Sequence, residues 1–230
     1  MRKIGLIGGM SWLSTRTYYD HINKLVQTRK GFPASAPMLI ESLDYTSLSR
    51  LSSAEEWKHA AETLCDSAKR LEGAGASALL IGANAMHKVY DRVAEAVGVP
   101  VIHIAECVAA KMAADGVKKA ALIGTRNVML ESFYRQKLIQ RDIELLPPEM
   151  GFVETLDRII YDELLQGKAS RQAERELKTI LTNLAQDGAE AVVLGCTELE
   201  MVVDVDANVL PIYDCTRIHA EAAVDWILGD

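Results

Sequence analysis

The stretch VVLGCTELE, Val192 to Glu200, is an apolar, strand-like run that passes through one glycine into a cysteine, a threonine and a carboxylate. An earlier stretch, LLIGANAMH from Leu79 to His87, has the same plan but carries Ala83 where the later one carries Cys196. The likeness extends further. GASALLIGANAMH (Gly75 to His87) lies over GAEAVVLGCTELE (Gly188 to Glu200), and VGVPVIHI (Val97 to Ile104) over NVLPIYDC (Asn208 to Cys215), in the same order and at nearly the same separation. Two matches in one order identify an internal duplication.

Outward from this pair, short β-rich runs alternate with helical patterns. The first half holds KIGLIG (Lys3 to Gly8), PMLIESL (Pro37 to Leu43), SALLIG (Ser77 to Gly82) and VPVIHI (Val99 to Ile104). The second holds KKAALIG (Lys118 to Gly124), IELLPP (Ile143 to Pro148), EAVVLG (Glu190 to Gly195) and VLPIYD (Val209 to Asp214). Between them, a helix is predicted from about Ser14 to Arg29 with Tyr18, Ile22, Leu25 and Val26 on one face. Ser53 and Glu56 form a capping box, opening a helix striped with Trp57, Ala61, Leu64, Ala68 and Leu71 that Gly73 and Gly75 end. Apolar strands alternating with helices read as parallel sheets buried on both faces. The expected fold is therefore α/β, with two pseudosymmetric domains, each a four-stranded parallel sheet flanked by helices, and an active site in the cleft between them. The last helix, from about Thr216 to Leu228, could return to either half. Assigned to the first, it gives domains of 1–98 plus 216–230 and 99–215.

The bulk numbers exclude several classes. With 230 residues, 49% of them hydrophobic, such a chain buries roughly 70–75% of its unfolded surface, enough for a core without metals or disulfides. A net charge of -7 argues against nucleic acid and anionic membranes as partners, because such binding draws its strength from Lys and Arg. No apolar run approaches the roughly 18 residues of a membrane span. The opening MRKIGLIGGMSW is broken too early by Gly8 and Gly9 to be a signal segment. Cys65, Cys107, Cys196 and Cys215 form no C-x-x-C pair, so they read as reduced thiols in a cytoplasm, with no metal site.

Ligands of parallel sheets gather at the carboxyl ends of the strands. That places Gly8 to Ser11, Asp44 and Tyr45, Ala83 to His87, His103 to Glu106, Thr125 and Arg126, Cys196 to Glu198 and Asp214 to Thr216 in the candidate site. Cys196 sits between a strand and a helix start, where the helix dipole is expected to lower a thiol pKa from its ordinary ~8.5 and make it a base or nucleophile. A cysteine after an apolar strand packs as a small hydrophobe unless its neighbours argue otherwise, and here Thr197 and Glu198 do. Cys65 and Cys107 fall within helical stripes and read as packing residues; Cys215, at the mouth of the last strand, is a weaker second candidate. The Gly8-Gly9-Met10-Ser11 turn lacks dinucleotide and P-loop spacing. Its glycines let backbone amides approach a substrate carboxylate, with Ser11 as helix cap, although a tight turn that simply needs glycine fits equally well. Asn84 follows Ala83 as Thr197 follows Cys196, and an amide there can donate to a carboxylate. His87 reads as a general acid or as a capping and packing residue, and His219, three residues past the Thr216 cap on the last helix, could approach the same cleft.

IGLIGGMSW, NAMHKV, LIGTRNVM, IIYDELLQGK, GCTELE and IYDCTRIHAEAAV together resemble the cofactor-independent aspartate/glutamate racemase family over almost the whole chain, most closely its broad-specificity or L-aspartate/glutamate-specific branch. The resemblance implies two pseudosymmetric domains with one cysteine from each flanking the substrate Cα. One thiolate removes the α-proton and the opposite thiol returns one to the other face, without pyridoxal phosphate or metal. It also implies that Cys196 is the second-domain cysteine, that Thr197 and the turn at Asn84 and Ala85 hold the α-carboxylate, that Glu198 lies near the ammonium, and that the protein is a homodimer. This chain departs from the pattern at Ala83, where the first-domain cysteine belongs, and at Ala85, where Thr is common. Leu165 stands where some aspartate-specific members have a basic residue, leaving Arg50 or Arg126 to meet an acidic side chain.

The expected function is thus an amino acid racemase acting on a small-molecule amino acid, with Cys196 as principal acid/base and water, His87 or another polar group opposite. The alternatives are a single-cysteine decarboxylase or isomerase of a small carboxylic acid, and an amino-acid-binding protein with little turnover.

Overall fold

Each half of the duplication folds as its own four-stranded parallel sheet. The computed structural model describes residues 1–204 and 208–229. The chain divides into two units, Met1–His103 with His219–Asp230, and Ile104–Ile218.

The first unit runs β1 (Ile4–Gly8), α1 (Trp12–Lys30), β2 (Met38–Ser42), α2 (Ala54–Gly73), β3 (Ala78–Ile81), α3 (Tyr90–Glu95) and β4 (Val101–Ile102), with strand order β2-β1-β3-β4. Side chains alternate across a strand, and the two faces are divided accordingly. Ile4, Leu6, Ala78 and Leu80 meet Tyr18, Ile22 and Val26 of α1, while Ile7, Leu79 and Ile81 meet Trp57, Ala61, Leu64, Ala68 and Leu71 of α2. Both central strands are therefore buried throughout. The expected capping box opens α2: Ser53 Oγ accepts from the Glu56 amide and the Glu56 carboxylate accepts from the Ser53 amide.

The second unit runs α4 (Ile104–Ala114), β5 (Lys119–Gly124), α5 (Arg126–Leu130), α6 (Ser132–Ile139), β6 (Glu144–Leu145), α7 (Met150–Asp162), α8 (Arg171–Gln186), β7 (Ala191–Gly195) and β8 (Ile212–Asp214), and enters α9 (Cys215–Leu228). Its strand order is β6-β5-β7-β8, the same permutation as the first sheet. Val153, Leu156 and Ile160 of α7 and Leu177, Leu181 and Leu184 of α8 cover one face of β5 and β7.

The open question of the last helix is answered by packing. From His219 onward α9 belongs to the first unit, where Ala220, Ala223, Val224 and Ile227 pack on Ile4, Leu6, Tyr18 and Ile22. The Arg2 amide donates to the Ile227 carbonyl at 2.8 Å, and Trp226 Nε1–H donates to Ser77 Oγ at 3.1 Å. Among the described residues no helix is long and apolar enough to cross a membrane.

Ser53 is exposed, so its removal tests the cap with little packing loss. Ser53→Ala is expected to cost about 1 kcal/mol, lowering the thermal midpoint by roughly 2–4 °C in a calorimetric scan.

Candidate active site

In the second unit β5 and β7 pair in register to their ends, Gly124 against Gly195. A Cβ on Gly195 would lie 2.7 Å from Val128 Cγ1, so a glycine lets α5 close over β7 just before Cys196. Cys196 itself is extended (φ -152, ψ 128) and opens a single 3-10 turn, Thr197–Met201. Its side chain is buried, 7% exposed, and packs against the same apolar cluster as Leu164, Leu199 and Val203. The sulfur nevertheless has a polar partner: Sγ–H donates to Glu198 Oε2 at 3.1 Å, and Glu198 is buried too.

This arrangement corrects one expectation. One 3-10 turn is not a helix terminus that activates a thiol. Burial, and then the Glu198 carboxylate, push the Cys196 pKa well above the ordinary thiol value. At rest the group is a thiol. Beside it, Thr216 Oγ1–H donates to Thr197 Oγ1 at 3.1 Å. Asp214 accepts from the Thr216 amide at 2.8 Å and the Arg217 amide at 3.3 Å, so its carboxylate serves the start of α9. Cys215 is sealed against the Tyr134 hydroxyl at 2.8 Å, in keeping with a packing role. At the end of β5, Thr125 occupies the cap position of α5 without capping it, and its buried hydroxyl has no hydrogen-bond partner among the described residues. The Arg126 amide donates to Asp157 Oδ1 at 2.9 Å.

In the first unit, Gly9 follows β1 with φ +85, and a Cβ there would lie 2.2 Å from the Leu43 carbonyl oxygen. The turn therefore requires glycine for its own geometry. Met10 and Ser11 are buried. Ser11 precedes α1, but its side chain makes no capping bond. Thr15 does the work instead, its Oγ1 accepting from the Gly9 amide at 2.7 Å and donating to the Ser11 carbonyl at 3.1 Å. Arg50 is exposed, in left-handed backbone at φ 54.

After β3 the chain reaches Ala83, Asn84 and the 3-10 turn Ala85–Val89. Asn84 is only 5% exposed, yet neither its amide nitrogen nor its oxygen has a partner among the described residues. A buried, unpaired carboxamide costs stability, and a ligand carrying both donors and acceptors would satisfy it. His87 is buried, with Nδ1 donating to the Ala83 carbonyl at 3.1 Å, because a carbonyl can only accept.

His87, His103 and His219, each expected from the sequence near the site, pack against one another in the first unit. His87 lies 4.8 Å from His103 and 5.9 Å from His219 between ring centroids. His219 Nε2–H donates to the Ile102 carbonyl at 3.0 Å, which leaves Nδ1 to accept from Tyr18 Oη–H at 2.7 Å. Burial, then His103 and His219, hold His87 well below the ordinary imidazole value. Burial holds His219 at about 4, although its bond to Ile102 acts in the opposite direction. His103 follows a strand and His219 lies on α9, so only the return of α9 onto this sheet brings them together.

With this geometry in view, the comparisons with known proteins assign the class. The chain belongs to the Asp/Glu/Hydantoin racemase family, whose profile matches residues 7–223. It is 23% identical to the broad specificity amino-acid racemase RacX of Bacillus subtilis (strain 168), over 98% of both chains. Among solved structures it is similar to a Yersinia pestis chain provisionally described as an Asp/Glu racemase, at TM-score 0.90 and 37% identity over 99% of this chain and 100% of that one. It is also similar to an aspartate racemase homologue from Pyrococcus horikoshii OT3, at TM-score 0.86 and 30% identity over the same shares.

The histidines give a pH prediction. His219 is held below its unfolded value near 6.5, so the unfolded chain takes up a proton first as pH falls. Stability present above pH 6.5 is lost between 6.5 and about 4, by on the order of 3 kcal/mol from this residue. His219→Gln is expected to show a shallower fall in thermal midpoint over that range than the parent protein.

Proposed function

We propose that this racemase-family protein is an amino acid racemase that works without pyridoxal phosphate or metal, with Cys196 as its principal acid/base. The observation that carries the reading is a buried thiol held by a buried carboxylate at the end of β7. The similarity to a broad specificity amino-acid racemase and to an aspartate racemase homologue supports the reaction class. Thr197, Thr125 and Asn84, with Gly9, Met10, Ser11 and Ala85, are the proposed substrate-binding groups. The orphaned polar atoms of Asn84 and Thr125 are the best grounds for including those two. Arg50 is the proposed partner of an acidic substrate side chain. The protein is proposed to act as a homodimer in the cytoplasm.

Ala83 sets the rate and stereochemical course. A methyl group carries no proton, so the second face of Cα depends on water or on His87, whose imidazole is neutral at neutral pH. Losing one partner of an acid/base pair costs about 10²–10⁴-fold. The enzyme is therefore slow or one-directional. The same alanine favours the second reading, a single-cysteine decarboxylase or isomerase in which Cys196 only delivers a proton to an enediolate.

Chiral chromatography of L- and D-amino acids incubated in D2O separates the readings. Inversion with deuterium at Cα is the expected result, and Ala83→Cys is expected to raise the inversion rate by at least about tenfold. Deuterium incorporation with full retention, or loss of carbon dioxide from a dicarboxylic acid, moves the assignment to the second reading. Binding without exchange or product contradicts both.

A further inference from the structure

Resting on the reading of Thr197 as a ligand of the substrate carboxylate, we infer that Thr216 is its positioning residue, a buried hydroxyl that fixes where the Thr197 O–H points and strengthens the bond it makes. Thr216 is fully buried and Thr197 only 6% exposed. The two hydroxyl oxygens stand 3.1 Å apart, Thr216 donating and Thr197 accepting. A hydroxyl has one proton to give. That of Thr216 is committed to Thr197, and the Thr197 side chain makes no other hydrogen bond among the described residues. A buried O–H next to Cys196 in the chain is thereby left holding a proton with no acceptor, and a carboxylate, which only accepts, completes the series. The reverse arrangement, Thr197 donating to Thr216, would leave this hydroxyl nothing to give.

Two anchors hold Thr216 still. Asp214, at the end of β8, accepts from the Thr216 amide at 2.8 Å and from the Arg217 amide at 3.3 Å, so its carboxylate fixes the first turn of α9. Cys215, the first residue of that helix, is fully buried against the Tyr134 hydroxyl of α6 at 2.8 Å. The run Asp214-Cys215-Thr216 therefore works as one device, in which a cap and a packing anchor aim a donor. A donor locked in place keeps Thr197 from rotating its proton away, and the ordering is complete before a ligand arrives. Hydrogen bonds in series also polarise one another in a low-dielectric surrounding, so a hydroxyl that accepts one bond donates a stronger second. The effect grows as Cα loses its proton, because the electron pair of the C–H bond then spreads onto the carboxylate oxygens.

Thr216→Val keeps the shape and removes the donor, whereas Thr216→Ser keeps the donor. Dissociation constants are read by calorimetric titration with the amino acid that the parent protein, screened across L- and D-amino acids, binds most tightly. Thr216→Val is expected to weaken binding about 5–10-fold, Thr197→Val about 10–100-fold, and Thr216→Ser by less than about twofold. The double variant Thr197→Val/Thr216→Val is expected to bind no more weakly than Thr197→Val, because a donor that acts through Thr197 has nothing left to act on. Losses that add in the double variant mark a merely structural role and overturn the inference. Thr216→Ala carries the test if the valine variant does not fold. Parent-like affinity without the Thr216 hydroxyl, with Thr197→Val weakened, overturns the role of Thr216 alone, and so does a loss in Thr216→Ser as large as that in Thr216→Val. Undiminished binding in Thr197→Val, or a parent protein that binds no amino acid, overturns the reading of Thr197 and this inference with it.

Discussion

The inner strands β1, β3, β5 and β7 are packed on both faces, and that constraint decides where chemistry can be. A strand between two helical layers has no wet face, so polar groups belong at its ends. The carboxyl ends here hold the polar residues that such packing excludes elsewhere: Asn84 after β3, Thr125 after β5, and Cys196, Thr197 and Glu198 after β7. Several carry an energetic cost that the fold itself does not repay, the clearest being the carboxamide of Asn84 and the hydroxyl of Thr125, which have no partner among the described residues. Sites where local stability is given up are where function is expected.

The two copies of the duplication have diverged in how they treat that cost. In the second unit the turn after β7 keeps a thiol and a carboxylate in contact. In the first the corresponding turn carries Ala83 and is backed by neutral imidazoles. His219, fixed as one tautomer between Tyr18 and Ile102, shows that this side is built to exclude charge at neutral pH. One unit thus holds a thiol hydrogen-bonded to a carboxylate, and the other has an alanine at the matching position.

Much of this was legible in the sequence. The duplication predicted two parallel sheets because β-rich runs and helical stripes alternate in the same order twice, and Ser53 with Glu56 gave the start of α2. The position of Cys196 followed from the single glycine that ends β7. The charge state of the sulfur was not legible: a strand-to-helix junction reads as a dipole-activated thiol, and the sequence does not reveal that only one 3-10 turn follows or that burial and Glu198 act in the opposite direction. Spacing alone does not pack the histidine cluster together, although the sequence placed its members near one site. Its members lie on a turn, a strand end and the last helix, and they meet only because Ala220, Ala223 and Val224 carry α9 back to the first sheet. Ser11 occupied the expected cap position while Thr15, one turn on, made the bonds, a choice between two hydroxyls that local sequence leaves undecided.

The central claim is that the sulfur of Cys196 moves the Cα proton from a resting thiol. The pH dependence of deuterium incorporation at Cα, laid over the ultraviolet titration of the Cys196 thiolate in the same protein, tests it most directly. The account predicts that incorporation rises with pH in parallel with the thiolate band. A rate that is flat with pH while the thiolate titrates would contradict it.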